Sequence, residues 1–352
     1  MKQKRLPVNV SNRNKEPGRL MRTGYSWLLL LLLLVVPATT HAQFKYTTNN
    51  GAITITGYTG PMGNVSIPDV INDLPVTSIL GSAFSQNTNV TGVTIPGSVR
   101  NIGGYAFQAC TSLTNATILF GLTNIGSSAF NYCPRLATVT IPGSVVTIGT
   151  DAFQQCSALS SVTIPDSVTS IGGAAFSGCT SLMSVSIPDG ITAVAGYTFQ
   201  SCSSMTNVLI PDSVTNLGTY AFQFCSSLTN ITIPSSVNTI GSYAFASSGL
   251  ASISMPNSVT SLGTYAFSSC LHLASASIST GMSTIPTGAL HSCTSLTNVT
   301  IPGSVISIGS SAFYACTRLP EVVIPNHSRP IRCKARHFPI VFLGNWPGRL
   351  QT

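Results

Sequence analysis

Charge is what this sequence has least of, because only 7% of its 352 residues are Asp, Glu, Lys or Arg. A typical soluble domain contains roughly a quarter. Together with a hydrophobic share of 43%, this low charge excludes disorder driven by self-repulsion. Tryptophan is rare, with two copies. A long apolar run is also missing, since a bilayer span needs about 20 such residues. The sequence predicts an ordered chain whose mature part has no transmembrane anchor.

The positive charge lies mainly at the two ends of the chain. The formal net charge is +8, but seven of the 16 basic residues lie before residue 23, and four more lie between Arg329 and Arg336. Between Tyr46 and Pro325, seven acidic residues face three basic ones. Because no basic stripe could follow a phosphate backbone, the sequence predicts no nucleic-acid partner.

Residues 1–42 have the organisation of a secretory signal peptide. The basic segment precedes an apolar run of ten residues, Trp27 to Val36, and Thr40-His41-Ala42 resembles a cleavage site with small residues. A start at Met21 would give a leader of ordinary length. We therefore expect the mature chain to be exported, to the cell surface or the extracellular space.

Catalytic and cofactor signatures are missing as well. The four histidines of the mature chain have no metal-ligand spacing, and neither a C-x-x-C pair nor a G-x-S-x-G elbow occurs. The histidines are His272, His291, His327 and His337. The sequence therefore predicts no enzyme, no cofactor and no metal.

A period of 23 residues organises the chain. Phenylalanine recurs at this step eight times, one residue is then lost before Phe267, and Leu290 and Phe313 resume the step. The eight positions are Phe84, Phe107, Phe130, Phe153, Phe176, Phe199, Phe222 and Phe245. About eleven units run from residue 67 to residue 325, and such a period indicates a solenoid.

Each unit contains one clear strand signal. Leu113, Ala116 and Ile118 are spaced L-x-x-L-x-L, which is the strand signature of a leucine-rich repeat. Proline after the isoleucine, as at Pro96, ends the strand because it has no backbone donor. A lone unit buries too little to fold, so the units must stack. Parallel strands joined by crossovers should wind right-handed.

The pattern I-P-x-S-V-T-x-I-G-x-x-A-F-x-x-C-x-S-L-T-x-V resembles the BspA-like leucine-rich repeat family. Ile164 to Gly172 and Ile210 to Val214 match it nearly residue for residue. The resemblance implies a right-handed leucine-rich-repeat solenoid, β-rich, with a parallel concave sheet and short turns or 3₁₀ segments on the convex side. Residues 43–66 resemble the family's N-terminal strand cap, whereas the basic tail, residues 326–352, does not match. Family members include secreted or surface proteins, some of them adhesins.

Nine cysteines occupy one repeat position, three residues after the phenylalanine. Equivalent Cβ atoms of stacked coils should lie about 4.8 Å apart, farther than the roughly 3.8 Å of a disulfide. We therefore interpret them as small buried side chains, with disulfides between neighbours and a thiolate metal site as the alternatives. The positions are Cys110, Cys133, Cys156, Cys179, Cys202, Cys225, Cys270, Cys293 and Cys316. Cys333, in the tail, is the candidate for a reactive or intermolecular thiol.

Aspartates form a second column after the Ile-Pro pair, at Asp166, Asp189 and Asp212, with Asp69 at the matching place in the first unit. Adjacent carboxylates could bind calcium. The other interpretation is that each Asp accepts hydrogen bonds within its own turn.

Two surfaces are candidates for binding. The first is the concave floor, where the outward strand residues carry uncharged hydroxyls and amides. The alternative interpretation is that this face is only solvated and binds nothing. The floor candidates are Thr117, Thr140, Thr163, Asn207, Asn230, Thr232, Asn298 and Thr300.

The second surface is an aromatic stripe, two residues before the phenylalanine of each unit. Four consecutive units carry tyrosine there, and one earlier unit does so as well: Tyr197, Tyr220, Tyr243, Tyr265 and Tyr105. Such rings suit contact with a sugar or a protein, or they cover their own turns as local packing.

Three functions follow as hypotheses. The first is an exported, non-enzymatic protein that binds an extracellular protein or glycan. The second is a structural spacer without a specific ligand. The third is an enzyme acting on polysaccharide, which would need convergent acids in a cleft.

Overall fold

The computed structural model describes residues 42–320, 322–324, 331–333 and 341–342. The expected signal peptide and most of the basic tail lie outside these residues. The described chain folds into β-strands joined by turns and contains no helix, so no helix there could span a membrane. The strands are β1 Phe44–Asn49, β2 Ala52–Tyr58, β3 Gly63–Ser66, β4 Val70–Ile71, β5 Leu74–Ile79, β6 Val90–Ile95, β7 Asn101–Ile102, β8 Asn115–Ile118, β9 Asn124–Ile125, β10 Thr138–Thr140, β11 Thr147–Ile148, β12 Ser170–Ile171, β13 Ser184–Ser186, β14 Ala193–Val194, β15 Asn207–Leu209, β16 Asn216–Leu217, β17 Thr239–Ile240, β18 Ser252–Ser254, β19 Ser261–Leu262, β20 Ser275–Ser277, β21 Thr284–Ile285, β22 Asn298–Thr300, β23 Ser307–Ile308, β24 Val322–Ile324, β25 Ile331–Cys333 and β26 Val341–Phe342.

The repeat units stack as parallel coils, one coil for each 23-residue unit. Thr138 pairs with Asn115 and Ile148 with Ile125, so each strand pairs in parallel with its equivalent one period away. This register confirms the predicted leucine-rich-repeat solenoid. Because the side-chain period of a strand is two, stacking in register keeps the same residues buried in every coil.

Two strand columns run through the stack. The longer strands, which precede the Ile-Pro pair, form the first column, and we call their outward side the strand face; these strands are β3, β6, β8, β10, β13, β15, β18, β20 and β22. The second column consists mostly of two-residue strands, such as β7 and β9. β6 ends at Ile95, directly before Pro96, as the missing proline donor requires.

The first strands form an antiparallel hairpin. β1 pairs with β2 in antiparallel fashion, and β2 then pairs in parallel with β5. Phe44, Ile53 and Ile55 are buried and join the same core as the coils. The hairpin thus covers the first coil with apolar side chains, and β1 lies at the edge of its sheet.

The core is built from columns of identical side chains. Each repeat phenylalanine is buried, and ring centroids of successive coils lie 4.6 Å apart at Phe84–Phe107 and 5.7 Å apart at Phe176–Phe199. Leucine or methionine of the L-x-x-L signal and valine after the Ile-Pro pair fill the remaining interior. Because equivalent residues pack closely from coil to coil, a change in the volume of one core side chain would disturb its neighbours.

The Ile-Gly position is glycine because successive coils approach closely there. A Cβ on Gly103 would lie 2.5 Å from the backbone nitrogen of Gly81 in the preceding coil. The same obstruction recurs at Gly149 and Gly241. A side chain at Gly103 would force this backbone to shift, whereas Ala195 and Pro286 occupy the same repeat position in two other coils.

The turn segment around Ala-Phe alternates between two kinds of hydrogen bond. Phe107 N donates to Ala129 O in the next coil at 2.7 Å, whereas Gln108 N donates to Tyr105 O in its own coil at 3.1 Å. Residues two before and two after the phenylalanine have positive φ in every coil from Phe84 onward. Short turns therefore replace any continuous 3₁₀ segment among the described residues.

Two short strands of the tail pair with the last coil. β24 pairs antiparallel with β25, and β23 pairs antiparallel with β26. The side chain of Cys333 and the basic cluster predicted for the tail lie outside the described residues.

Candidate functional site

Four consecutive tyrosines stack into what we call the tyrosine ladder: Tyr197, Tyr220, Tyr243 and Tyr265. Their ring centroids lie 4.7, 4.9 and 5.1 Å apart, with interplanar angles of 21°, 8° and 9°. The rings therefore contact one another across coils, and no ring contact joins them to the phenylalanine of their own turn among the described residues. One ring per coil fixes the spacing of the ladder.

The backbone makes tyrosine an unfavourable choice at these positions. φ is +62° at Tyr197 and +57° at Tyr243, which is the left-handed region. A residue with a side chain pays roughly 1–2 kcal/mol there, and Gly, Asn or Asp tolerates it best. Because other coils carry Ser, Ala or Gly at the same position, the turn itself does not require a ring.

The ladder presents phenol hydroxyls that have no partner. Tyr197 is 42% exposed, and the other three side chains are half-buried. None of the described residues hydrogen-bonds to the four phenol oxygens. Partial desolvation, helped by the phenols of Tyr197 and Tyr243, raises the pKa of Tyr220 above its ordinary value. A tyrosine is protonated at neutral pH even at its ordinary pKa, so the hydroxyl is a donor there.

The ladder continues beyond Tyr265 through two rings from another repeat position. The Tyr265 ring lies over Gly288, where a Cβ would collide with it. The edge of Tyr265 meets His291 at 5.8 Å, and His291 stacks on Tyr314 at 5.1 Å. His291 and Tyr314 follow the core residue directly, so period counting alone missed them. Aligning the units and comparing neighbouring positions could have found them.

Tyr105 lies at the same repeat position as the ladder but stands apart from it. Its φ is +60°, and 49% of its surface is exposed. The adjacent coils carry Ser82 and Ser128 there, and no ring contacts Tyr105 within the described part of the chain. A binding role for Tyr105 stays a prediction, separate from the ladder.

A short row of amides accompanies the ladder, one residue after the phenylalanine. Ser177 Oγ donates to Gln200 Oε1 at 3.4 Å, and Gln200 Nε2 donates to Gln223 Oε1 at 2.7 Å. Alanine follows at position 246, so Gln223 Nε2 finds no side-chain partner in residues 42–320. This amide row adds an available donor in the same coil as Tyr220.

The predicted floor residues lie on the strand face. The strands alternate exposed and buried residues, as in β10, where Thr138 and Thr140 flank buried Val139. Asn207, Asn230, Thr232, Asn298 and Thr300 are exposed, as are Thr140 and Thr163, while Thr117 is half-buried. The strands are interrupted at 161–163 and 230–232. Ligand binding by this face stays a prediction.

The aspartate column lines a cavity of about 460 Å³. Asp166, Asp189 and Asp212 line it together with exposed Leu209 and half-buried Pro211. In the part of the chain that the structure describes, no three His, Cys, Asp or Glu side chains converge in a way that could hold a metal ion.

The cysteine column is an internal hydrogen-bond ladder. All nine thiols are free and buried. This agrees with the interpretation of these cysteines as small buried side chains, and no disulfide joins them. Each repeats one contact, as where Cys179 Sγ donates to Phe153 O of the preceding coil at 3.2 Å. Burial raises the pKa of Cys225 to about 12 and that of Cys202 as well, so these thiols remain protonated.

The register, the buried phenylalanine column and the strand signal define a leucine-rich-repeat solenoid. The family model described as "BspA type Leucine rich repeat region" matches residues 62–160, 146–273 and 227–335 with six copies. The chain therefore belongs to the BspA-type leucine-rich repeat family. No curated protein matches the sequence.

Three solved structures show how far the similarity extends. A leucine-rich repeat protein from Bacteroides ovatus is 30% identical with a TM-score of 0.69, over 79% of this chain and 80% of that one. A leucine rich cell surface protein from Faecalibacterium prausnitzii is 32% identical with a TM-score of 0.53, over 79% and 92%. A leucine-rich repeat protein of T. pallidum is 35% identical with a TM-score of 0.51, over 53% and 88%.

Proposed function

We propose that the chain is an exported, non-enzymatic binding protein of the cell surface or extracellular space, and that it holds its partner on the tyrosine ladder. Export is supported by the basic segment, apolar run and small-residue site predicted for residues 1–42. The resemblance to a structure described as a leucine rich cell surface protein points the same way. The partner is an extracellular protein or glycan.

The single observation that carries this proposal is that four stacked, partly exposed rings occupy backbone positions unfavourable to them. The core does not need these rings, because the buried phenylalanine column already fills it. Stacking holds the rings in place, so a partner meets side chains that are ordered in advance. Tyrosine is also enriched among the residues that dominate binding energy.

The floor is the second candidate surface, because its exposed hydroxyls and amides repeat along the strand face. It lacks aromatic anchors: Thr232 and Asn230 offer hydrogen bonds but little area to bury. A spacer without a ligand is the alternative function. Catalysis on polysaccharide has the least support, because the aspartates lie in one column beside apolar Leu209 and Pro211, without a described second set opposite.

Saturation binding of the labelled full chain to arrays of extracellular proteins and glycans tests the proposal. We expect saturable binding that the double change Tyr220→Ala and Tyr243→Ala weakens at least tenfold. The matched control is Tyr132→Ala, since Tyr132 is 57% exposed, has φ +57° and belongs to no ring stack. The pair Asn230→Ala and Thr232→Ala tests the floor.

Loss of binding in the floor pair alone would move the site to the strand face. Absence of saturable binding on every array would favour the spacer. Equal affinity of the Tyr220 and Tyr243 variant and the unaltered chain would remove the ladder from the account.

A further inference from the structure

The tyrosine ladder offers a partner an unusual pattern of chemistry. Its rings cover one another's faces at 4.7–5.1 Å, so the outward surface consists of ring edges and hydroxyls, one set per coil. Each phenol can donate one hydrogen bond and accept others. The site is therefore a straight row of equally spaced donor–acceptor groups on a rigid support.

From this row, and resting on the proposed function, we infer that the ligand is a linear, uncharged, β-linked glycan lying along the ladder with one sugar per coil. A β-1,4-linked pyranose chain is extended, and the length of each sugar is close to the 4.7–5.1 Å between ladder rings of neighbouring coils. Its hydroxyls donate and accept, as the phenols do. The sugars of the glycan and the tyrosines of the ladder therefore keep the same spacing over all four coils.

The charge distribution selects an uncharged ligand. Residues 195–204, 218–227, 241–249 and 263–271, which form the turn segments of the ladder, contain no Asp, Glu, Lys or Arg. A polyanion or a basic peptide would bury its charges there without an opposite charge, which is costly. A neutral sugar chain loses no such interaction.

The amide row provides a second line of contact beside the phenols. Gln200 Nε2 donates a hydrogen bond of 2.7 Å to Gln223 Oε1, and this bond fixes the orientation of both amides. Gln223 Nε2 is left as a donor in the same coil as Tyr220. A sugar bound at this coil could meet both a phenol and an amide donor, which a single row could not provide.

A protein segment fits the same row less well. Residues on one side of an extended strand repeat at about 6.8 Å, twice the rise per residue. That step departs from the 4.7–5.1 Å between ladder rings, so a bound strand would lose register within two coils. A protein partner would therefore use the rings singly and gain nothing from their number.

Calorimetric titration of the full chain with cello-oligosaccharides, from the dimer to the hexamer, tests the inference. Each added sugar should tighten binding by about threefold to tenfold, the value of one further hydrogen bond, up to the tetramer. The hexamer should gain little over the pentamer. Malto-oligosaccharides, whose α-linked chains coil, should show no such increase with length.

Conservative variants separate the hydroxyls from the stack. Tyr220→Phe and Tyr243→Phe keep the rings, so each should weaken tetramer binding about threefold to tenfold, and Gln223→Ala should do so to a similar extent. Tyr132→Phe should leave it unchanged. An unchanged tetramer affinity in both ladder variants would contradict the inference.

The glycan inference and the proposed function fail in different ways. Affinity independent of oligomer length, equal binding of malto-oligosaccharides, or binding to protein probes alone would each overturn the glycan inference. If Tyr220→Ala with Tyr243→Ala still abolished array binding in that case, the ladder would remain the binding surface with a protein as its partner.

Discussion

Two aromatic ladders run along this solenoid, one inside and one outside, and they differ in extent. The inner phenylalanine column is continuous from Phe84 to Phe267, and the cysteine column beside it donates its thiols from coil to coil. The outer tyrosine ladder spans four coils, and His291 and Tyr314 continue its ring contacts over the next two. Every coil fills this inner position with a large apolar side chain, which is Leu290 in the coil without phenylalanine, because a gap would leave a cavity. Because the outer ladder is confined to part of the solenoid, we propose a local task for it.

The largest expected effect is a loss of stability at alkaline pH, and it comes from the buried cysteine column beside the phenylalanine column. The pKa of Cys225 is raised to about 12 in the folded chain, above its ordinary value near 9. The unfolded chain therefore loses thiol protons first, and the free energy of unfolding must fall as pH rises above about 9. Each such thiol contributes about 1.4 kcal/mol per pH unit until the folded pKa is reached.

Chemical denaturation at about pH 8 and about pH 10.5 measures this loss. Replacing Cys202 and Cys225 with alanine should make the pH dependence shallower. A pH dependence that is equally steep in that variant would show that the thiols are not its source.

The second prediction compares an inner aromatic residue with an outer one. Phe153→Ala removes a fully buried ring between two stacked neighbours, so the free energy of unfolding should fall by about 3–5 kcal/mol. Phe224→Ala, at a site 47% exposed, should change it by less than about 0.5 kcal/mol. Urea unfolding of both variants provides the comparison. Similar losses would mean that outer aromatic residues also hold the coils together.

The third and smallest effect compares a stacked tyrosine with an isolated one. Tyr105→Gly relieves the left-handed strain and breaks no ring contact, so stability should stay constant or rise by up to about 1 kcal/mol. Tyr220→Gly relieves the same strain but loses two stacking contacts of about 0.5–1.5 kcal/mol each. It should therefore be the less stable variant by at least about 1 kcal/mol. Identical melting temperatures would argue against stabilising contact between the rings.

Much of the fold could be predicted, because the repeat carries it. The step of 23 residues and the L-x-x-L-x-L spacing around Leu113 predict stacked parallel strands, and Pro96 marks where a strand ends. The close approach at Gly103 is required by the neighbouring coil, so it follows from stacking and not from the local turn.

The candidate site could be predicted only in part. The spacing of Tyr197 to Tyr265 places one ring in each coil, but nothing local indicates the left-handed backbone, because Ser, Ala and Asp occur at the same position elsewhere. His291 and Tyr314 join the ladder from a different repeat position, which only the relative placement of two coils reveals.

Amide hydrogen exchange tests the central claim most directly, in a chain whose four ladder tyrosines are replaced with asparagine, a residue that tolerates the left-handed backbone. The claim is that the inner column holds the coils and the ladder is a surface laid upon them. We predict that amides of the four coils, such as Phe222 N bonded to Ala244 O at 2.8 Å, keep the protection they have in the unaltered chain. Loss of protection confined to these coils would contradict the claim and make the ladder part of the fold.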